Sequence, residues 1–369
     1  MTIAILAILL FSTWYTPWRL KTALGQKSQI LASVTQFMIL AGYIAVIMTK
    51  YYITSPLGGV IYNVLGLLFI FQVYLTISVF ILHLFSRPLA RFNKLKLLTQ
   101  LAIMVSLSLV IIGCAMAQLF TVTETVIQVK GLEKPVTIAH IPDLHLGSHR
   151  TRRYLDKVIK TIQDLKPDIV IYNGDLVDSD LALSERVFTK FKQIKAEQYY
   201  TTGNHEFYVN TDKALALAQK AGLKVLRSRM VETHGLQLIG LEYMNGDRDS
   251  SDAHRVNDLF LNEELPKIKR DPSKPTVLAH HSPVGVQYVA KEGIEVMLAG
   301  HTHGGQVFPG TVLIGLRFPY FKGRFLVDKT TLLVSQGAGT FGPILRLGSF
   351  NEIQLVKLVP SPDRPVKGL

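Results

Sequence analysis

The first 120 residues of this 369-residue chain contain neither Asp nor Glu, although 27 acidic residues follow in the remainder. That boundary separates two composition classes. The acid-free part carries four apolar stretches, 3–18, 30–52, 57–85 and 97–120, with only eight basic residues among and between them: Arg19, Lys21, Lys27, Lys50, Arg87, Arg91, Lys94 and Lys96. Crossing ~30 Å of hydrocarbon takes ~20 apolar residues. The last three stretches satisfy this and the first is short. The first stretch lacks the charged lead and small-residue cleavage pattern of a signal peptide. Trp14, Tyr15 and Trp18, followed by Arg19 and Lys21, suit an interfacial aromatic belt instead. The expectation is an N-terminal all-α transmembrane domain of four helices over 1–120 and a separate domain over 121–369.

The basic residues also orient the chain. The first and third loops hold seven of the eight, which places those loops in the cytoplasm and residues after about 120 on the outer side. A net charge of +13 would otherwise suggest a nucleic-acid partner. Eight of those charges belong to the membrane part, and the remaining 249 residues carry 32 basic against 27 acidic residues, so no nucleic-acid partner is expected. Cys114 is the only cysteine, which excludes an internal disulfide and a CxxC metal site. His83, near the end of the third stretch, reads as an interfacial or helix-packing residue.

Residues 121–369 alternate short apolar runs with helical patterns, as a layered α/β domain does. Strands are expected at 136–141, 169–172, 199–202, 276–279, 296–299, 332–335 and 352–358. Helices are expected at 150–165, near 183–194, and at 211–221; the last ten residues read as a polar tail. Polar clusters recur where these strands end: Asp143-Leu-His145, Gly174-Asp175-Leu-Val-Asp178, Gly203-Asn204-His205-Glu206, His280-His281 and Gly300-His301-Thr-His303. Strand ends are where an open sheet presents ligands and catalytic groups. Carboxylate and imidazole donors suit Mn, Fe, Zn, Co or Ni. Asp175 has two oxygens and could bridge two ions, which would clamp both oxygens of an in-line displacement.

The order Asp-x-His, Gly-Asp-x-x-Asp, Gly-Asn-His-Glu, His, Gly-His-x-His resembles the calcineurin-like metallophosphoesterases. DLHLG at 143–147 and GHTHGGQ at 300–306 look most like the bacterial membrane-associated branch, similar to YkuE-type phosphoesterases and UDP-2,3-diacylglucosamine hydrolases. The resemblance covers about residues 134–358. It implies a four-layer αββα sandwich holding two divalent ions (Mn, Fe or Zn), in an integral protein of a bacterial cell membrane. Asp143, His145 and His303 would hold the first ion, Asp175 would bridge, and Asn204, His280 and His301 would hold the second. His205 would be catalytic, facing the phosphate without binding metal, and Asp178 would orient a ligand. The pair His280-His281 leaves a choice, in which strand register from Val277 through Ala279 favours His280. His149, His234 and His254 fall outside the motifs and default to the surface, although His149 lies close enough to His145 to reach a substrate.

The segment VFPGTVLIGLRFPYFKGRF at 307–325 reads either as a buried β-hairpin with solvated cations or as a rim loop that touches lipid while Arg317, Lys322 and Arg324 meet phosphate. The short linker of about 15 residues between the last apolar stretch and the first catalytic strand keeps the catalytic domain near the bilayer. The function expected is a membrane-anchored dinuclear phosphoesterase that uses a metal-activated hydroxide, its partners being the bilayer and a lipid-linked phosphate or pyrophosphate. The alternatives are a phosphatase of soluble nucleotides or phosphoproteins, and a non-catalytic membrane receptor or scaffold retaining a metal site.

Overall fold

The computed structural model of the chain describes residues 14–20, 25–49, 55–89, 95–147, 150, 152–244 and 253–361. Three long helices lead, Gln26–Thr49, Pro56–Leu89 and Leu95–Met116. Two windows within them, Pro56–Leu82 and Lys96–Met116, are long and apolar enough to cross a membrane. The helix Gln26–Thr49 contains a shorter apolar segment, Ala32–Gly42. Most of the expected first span, and His149, lie outside the described residues. The side chains of His83 and His254 do too.

The strands are β1 Phe120–Val129, β2 Val136–His140, β3 Ile169–Asn173, β4 Glu197–Thr201, β5 Lys224–Val225, β6 Arg229–Thr233, β7 Leu236–Leu241, β8 Thr276–His280, β9 Val296–Ala299, β10 Gly323–Val327, β11 Thr330–Val334 and β12 Asn351–Pro360. They form two mixed six-stranded sheets, ordered β1-β12-β2-β3-β4-β5 and β10-β11-β9-β8-β7-β6. Parallel pairing joins β2 through β5 in one sheet, and β7, β8, β9 and β11 in the other. The sheets pack face to face through alternate residues of their strands, among them Ile138, Ile171, Leu238, Val277, Leu298 and Val356.

Helices cover both outer faces. Arg152–Leu165 buries Leu155, Val158, Ile159 and Ile162, the stripe that spacings of three and four produce on a helix. Opposite, Leu261, Leu265, Val286 and Val289 pack on the outward residues Ile239, Leu278 and Met297. The result is the expected layering of helix, sheet, sheet and helix.

The expected linker ahead of the first catalytic strand is itself β1. It pairs in parallel with β12 along its whole length, from Phe120↔Asn351 to Val129↔Pro360. Its Thr-rich alternation leaves most side chains half-buried or exposed, because β1 is an edge strand. Apolar content alone therefore hid it. The segment 307–325 is likewise neither reading in full. It forms short helices at Gly310–Leu313 and Ile314–Leu316, and only β10 pairs as a hairpin with β11. Phe318 is buried against the core.

Candidate metal centre

Parallel strands β2, β3, β4, β8 and β9 point their C-terminal ends to the same side, and the polar clusters meet there. The loops after β2 and β3 run together beyond the sheet: Asp143 N donates to Gly174 O (3.0 Å), His145 N to Asp175 O (2.9 Å) and Asp178 N to Leu146 O (2.7 Å). Two ligand-bearing turns are thus locked in register by backbone bonds. The backbone is also strained where the ligands sit. Asp143 (φ 57), His145 (φ 47), Asp175 (φ 52), His301 (φ 70) and His303 (φ 51) all occupy the left-handed region. Each such residue costs of order 1–3 kcal/mol and persists only where surrounding structure over-determines it.

The side chains form three overlapping groups: Asp143, His145 and His303; His145, Asp175 and His205; and Asp175, His281 and His301. One oxygen of Asp175 lies 3.3 Å from His281 Nε2, 3.7 Å from His145 Nε2 and 3.8 Å from His205 Nε2. Nε2 of His145 and Nε2 of His303 approach to 3.0 Å. Asp143 Oδ1 lies 3.5 Å from His303 Nε2 and 3.8 Å from His281 Nε2. All these side chains are buried except the partly buried His301. Asn204 opens the helix Asn204–Val209 with a buried Oδ1 that has no hydrogen-bond partner. Convergent nitrogens and carboxylates around a shared Asp175, together with an orphaned amide oxygen, fit a pair of divalent cations.

One residue differs from the sequence expectation. His281, and not His280, enters the cluster. Val277 and Ala279 face the opposing sheet, while Leu278 faces the covering helices. Alternation therefore puts His280 on the helix side, where its ring lies nearly parallel to Tyr243 at 6.4 Å. The strand ends at His280, and His281 turns over the strand ends. Its Nδ1 donates to Asn173 O (2.8 Å), which leaves Nε2 aimed at Asp175.

Electrostatics follow from burial. Burial holds His301 down to about 3, helped by the neighbouring His281, so its ring is neutral. Burial also lowers His281, but the Asp175 and Asp143 carboxylates outweigh it and carry that ring up to about 10. Burial raises Asp178, yet the hydrogen-bonded His205 and the His145 ring 3.6 Å away outweigh this and keep it ionised. Asp178 Oδ1 is 2.5 Å from His205 Nδ1. Since a carboxylate only accepts, that nitrogen carries the proton and His205 presents Nε2 to the cluster.

Three supporting residues had no expected role. The buried carboxylate of Glu206 accepts from the N–H groups of Gly203 (2.7 Å), Asp175 (3.0 Å) and Leu176 (2.7 Å), tying the second and third clusters together. Its place in Gly-Asn-His-Glu was the available signal. The fully buried Arg346 donates to His303 O (3.1 Å), Gln336 O (2.6 Å) and Gly339 O (2.6 Å). Its only mark in the sequence is a lone cation in the apolar run ILRL. His140 bonds Gln354 (2.9 Å) and Asn173 (3.1 Å) inside the sandwich. His234 is exposed in the β6–β7 turn, at the far end of β7 from the cluster.

Gly174 has φ +81, and a Cβ there would come within 2.5 Å of His281 Nδ1. Gly174→Ala is expected to cost about 1–3 kcal/mol through backbone strain and overpacking. It should also weaken divalent-ion binding by displacing the His281 ring. Thermal unfolding with and without added ion checks both effects.

A mixed two-sheet sandwich bearing an Asp/His cluster over its parallel strand ends is the architecture of a metallophosphoesterase. The chain belongs to that family: the model for calcineurin-like phosphoesterases matches residues 136–305. It is 30% identical to a metallophosphoesterase of Aquifex aeolicus over 234 residues, 62% of this chain and 86% of that protein. It is 29% identical to one of Helicobacter pylori strain J99 over 244 residues, 65% of this chain and 64% of that protein. A Bos taurus protein called transmembrane protein with metallophosphoesterase domain is 30% identical over 288 residues, 73% of this chain and 64% of its own length. The chain thus spans less than two thirds of the Helicobacter and cattle proteins.

Proposed function

We propose that this chain is a membrane-anchored, two-metal phosphoesterase whose substrate is a lipid-linked phosphate ester or pyrophosphate. The observation that carries the reading is the single carboxylate of Asp175 shared between two imidazole groups. Asp143, His145 and His303 would hold one ion, Asp175 would bridge, and Asn204, His281 and His301 would hold the other. Donor chemistry suits Mn, Fe or Zn. When bound, the ions supply Lewis-acid charge and acidify water. His205 holds its Nδ1 proton on Asp178 and offers Nε2 to the leaving oxygen as a proton donor. Asp178 fixes the ring's direction. Glu206 and Arg346 hold the ligand loops through their backbones.

Membrane anchoring is supported by the helices themselves. Only 33% of the Pro56–Leu82 window and 28% of the Lys96–Met116 window is buried, unlike the core helices of a soluble protein. The match to the cattle protein covers 73% of this chain, more than residues 121–369 comprise, so it reaches into the helical part. We read residues 1–120 as four spans in a cell membrane and residues 121–369 as the catalytic domain. The basic residues of the first and third loops put that domain on the outer side.

Purified full-length protein in nanodiscs is stripped with a chelator, reloaded with Mn, Fe or Zn, and assayed on a lipid phosphodiester and on a water-soluble phosphate ester. Hydrolysis should vanish on stripping, return on reloading and be absent in Asp175→Ala. Equal kcat/KM on the two substrates would remove the lipid part of the reading. Hydrolysis that survives stripping would remove the metal part.

A further inference from the structure

The segment after the last His of the cluster carries apolar side chains that the fold leaves in solvent. Val312 is 66% and Leu316 86% exposed, with Phe308, Leu313 and Phe341 near half. Phe341 stands over the cluster, its ring 5.0 Å from that of His303. These residues therefore border the metal centre and not a remote face.

Their position relative to the helices is fixed by a strap, residues 339–347. Pro343 closes on Gly66, where a Cβ would come within 2.9 Å of the proline ring. Leu345 closes on Gly113 in the same way, at 2.8 Å. Ile344 N donates to Asn63 Oδ1 (2.7 Å) and Arg346 N to Gly113 O (3.0 Å). Phe308 N donates to Leu347 O (2.9 Å), so the exposed segment begins on the strap. Val307 and Leu347 pack against Tyr74, Val110 and Leu345. Tyr74 lies well inside the apolar window Pro56–Leu82, and Val110 lies six residues, ~9 Å along the axis, inside the end of Lys96–Met116. Leu57, Val60, Ile61 and Val64 expose further apolar surface nearer the start of the first window. A bilayer that covers these helices meets the exposed segment at the same depth.

We propose that Phe308, Val312, Leu313, Leu316 and Phe341 form a surface that lies in the bilayer interface beside the spans, so that a lipid phosphoester reaches the cluster from the membrane plane. This inference rests on the membrane-anchored reading. The surface continues the lipid-facing sides of the two helices, which is why its occupant is lipid and not a second protein. A helix turn of this kind buries its apolar side chains at the boundary of head groups and acyl chains.

The test uses full-length protein in phosphatidylcholine nanodiscs, with Trp14→Phe and Trp18→Phe removing both native tryptophans. Single tryptophans are then placed by Leu316→Trp, by Ile111→Trp on an exposed helix face, and by Lys220→Trp beside β5, the sheet edge farthest from β1. Brominated phosphatidylcholine should quench Leu316→Trp at least about twofold, as it does Ile111→Trp, and leave Lys220→Trp unchanged. Phe308→Trp, a conservative change, gives the same reading should Leu316→Trp fold poorly. Quenching at 316 and 308 no greater than at 220, with Ile111→Trp still quenched, overturns the proposal. So does protection of residue 316 from acrylamide without bromine quenching, which would mean that protein covers the face. No turnover is measured, so failure of hydrolysis and failure of this contact remain distinguishable.

Discussion

His205→Ala lowers kcat for alkyl phosphoesters by about 10²–10⁴, the range a positioned general acid supplies. The ring turns Nε2 toward the cluster, 3.8 Å from Asp175 Oδ2, and packs edge-on against the His145 ring at 4.5 Å, while Nδ1 is taken by Asp178 at 2.5 Å. Two further observations separate proton donation from metal binding. Metal content of the variant stays at the wild-type value, because the cluster keeps Asp143, His145, Asp175, His281, His301 and His303. The deficit also shrinks on a nitrophenyl ester, whose leaving oxygen needs no proton. A deficit equal on both esters would make His205 a stabiliser of the phosphate's developing charge and not a proton donor, and loss of bound metal would make it a ligand. Asp178→Asn is the milder companion: it keeps the shape and removes the charge that holds His205, for about a 10–100-fold loss.

Arg346→Met is the largest stability change we expect, about 3–5 kcal/mol, since several buried carbonyls lose their donor at once. The guanidinium is fully buried and joins three stretches of chain: His303 of the cluster, the turn Gln336–Gly339, and Asn351 at the head of β12 (2.9 Å). Arg346→Lys should recover only part of the loss, because an ammonium cannot reach in several directions as a planar fork does. The expected result is a lowered unfolding midpoint in both variants, with Arg346→Lys between Arg346→Met and the parent. In the folded fraction, divalent affinity should fall with the same order. A variant as stable as the parent would mean that the carbonyls find other donors.

Much of the candidate site was legible in the sequence, because its donors stand where short apolar runs end. Asp143, His145, Asp175, Asn204, His205, His301 and His303 all lie at that end of the sandwich. The His280/His281 choice was not legible. Both residues follow the same run, and alternation is informative only while the strand lasts. What decides it is where the β8 ladder stops and the backbone turns. Arg346 was hidden for a different reason. A lone cation in an apolar run has no local meaning until the chain folds its carbonyl partners around it from positions up to 43 residues away. Edge strand β1 was missed because alternating Thr and apolar residues read as linker until β12 pairs with them.

The sequence by itself determined the division of this protein into an acid-free apolar part and an α/β part, and all but one of the imidazole and carboxylate donors of the candidate metal centre. Both are local properties: hydropathy along a helix length, and residue type at strand ends. Only the tertiary structure decided that the two parts share an interface, that His281 joins the cluster, and that Phe341 with the helix-forming segment at 310–316 borders it. The place of His281 depends on where β8 ends, and the shared interface on the strap at 339–347, which packs against Gly66 and Gly113. The close approach that these glycines permit is a property of two surfaces together, and neither sequence segment carries it alone.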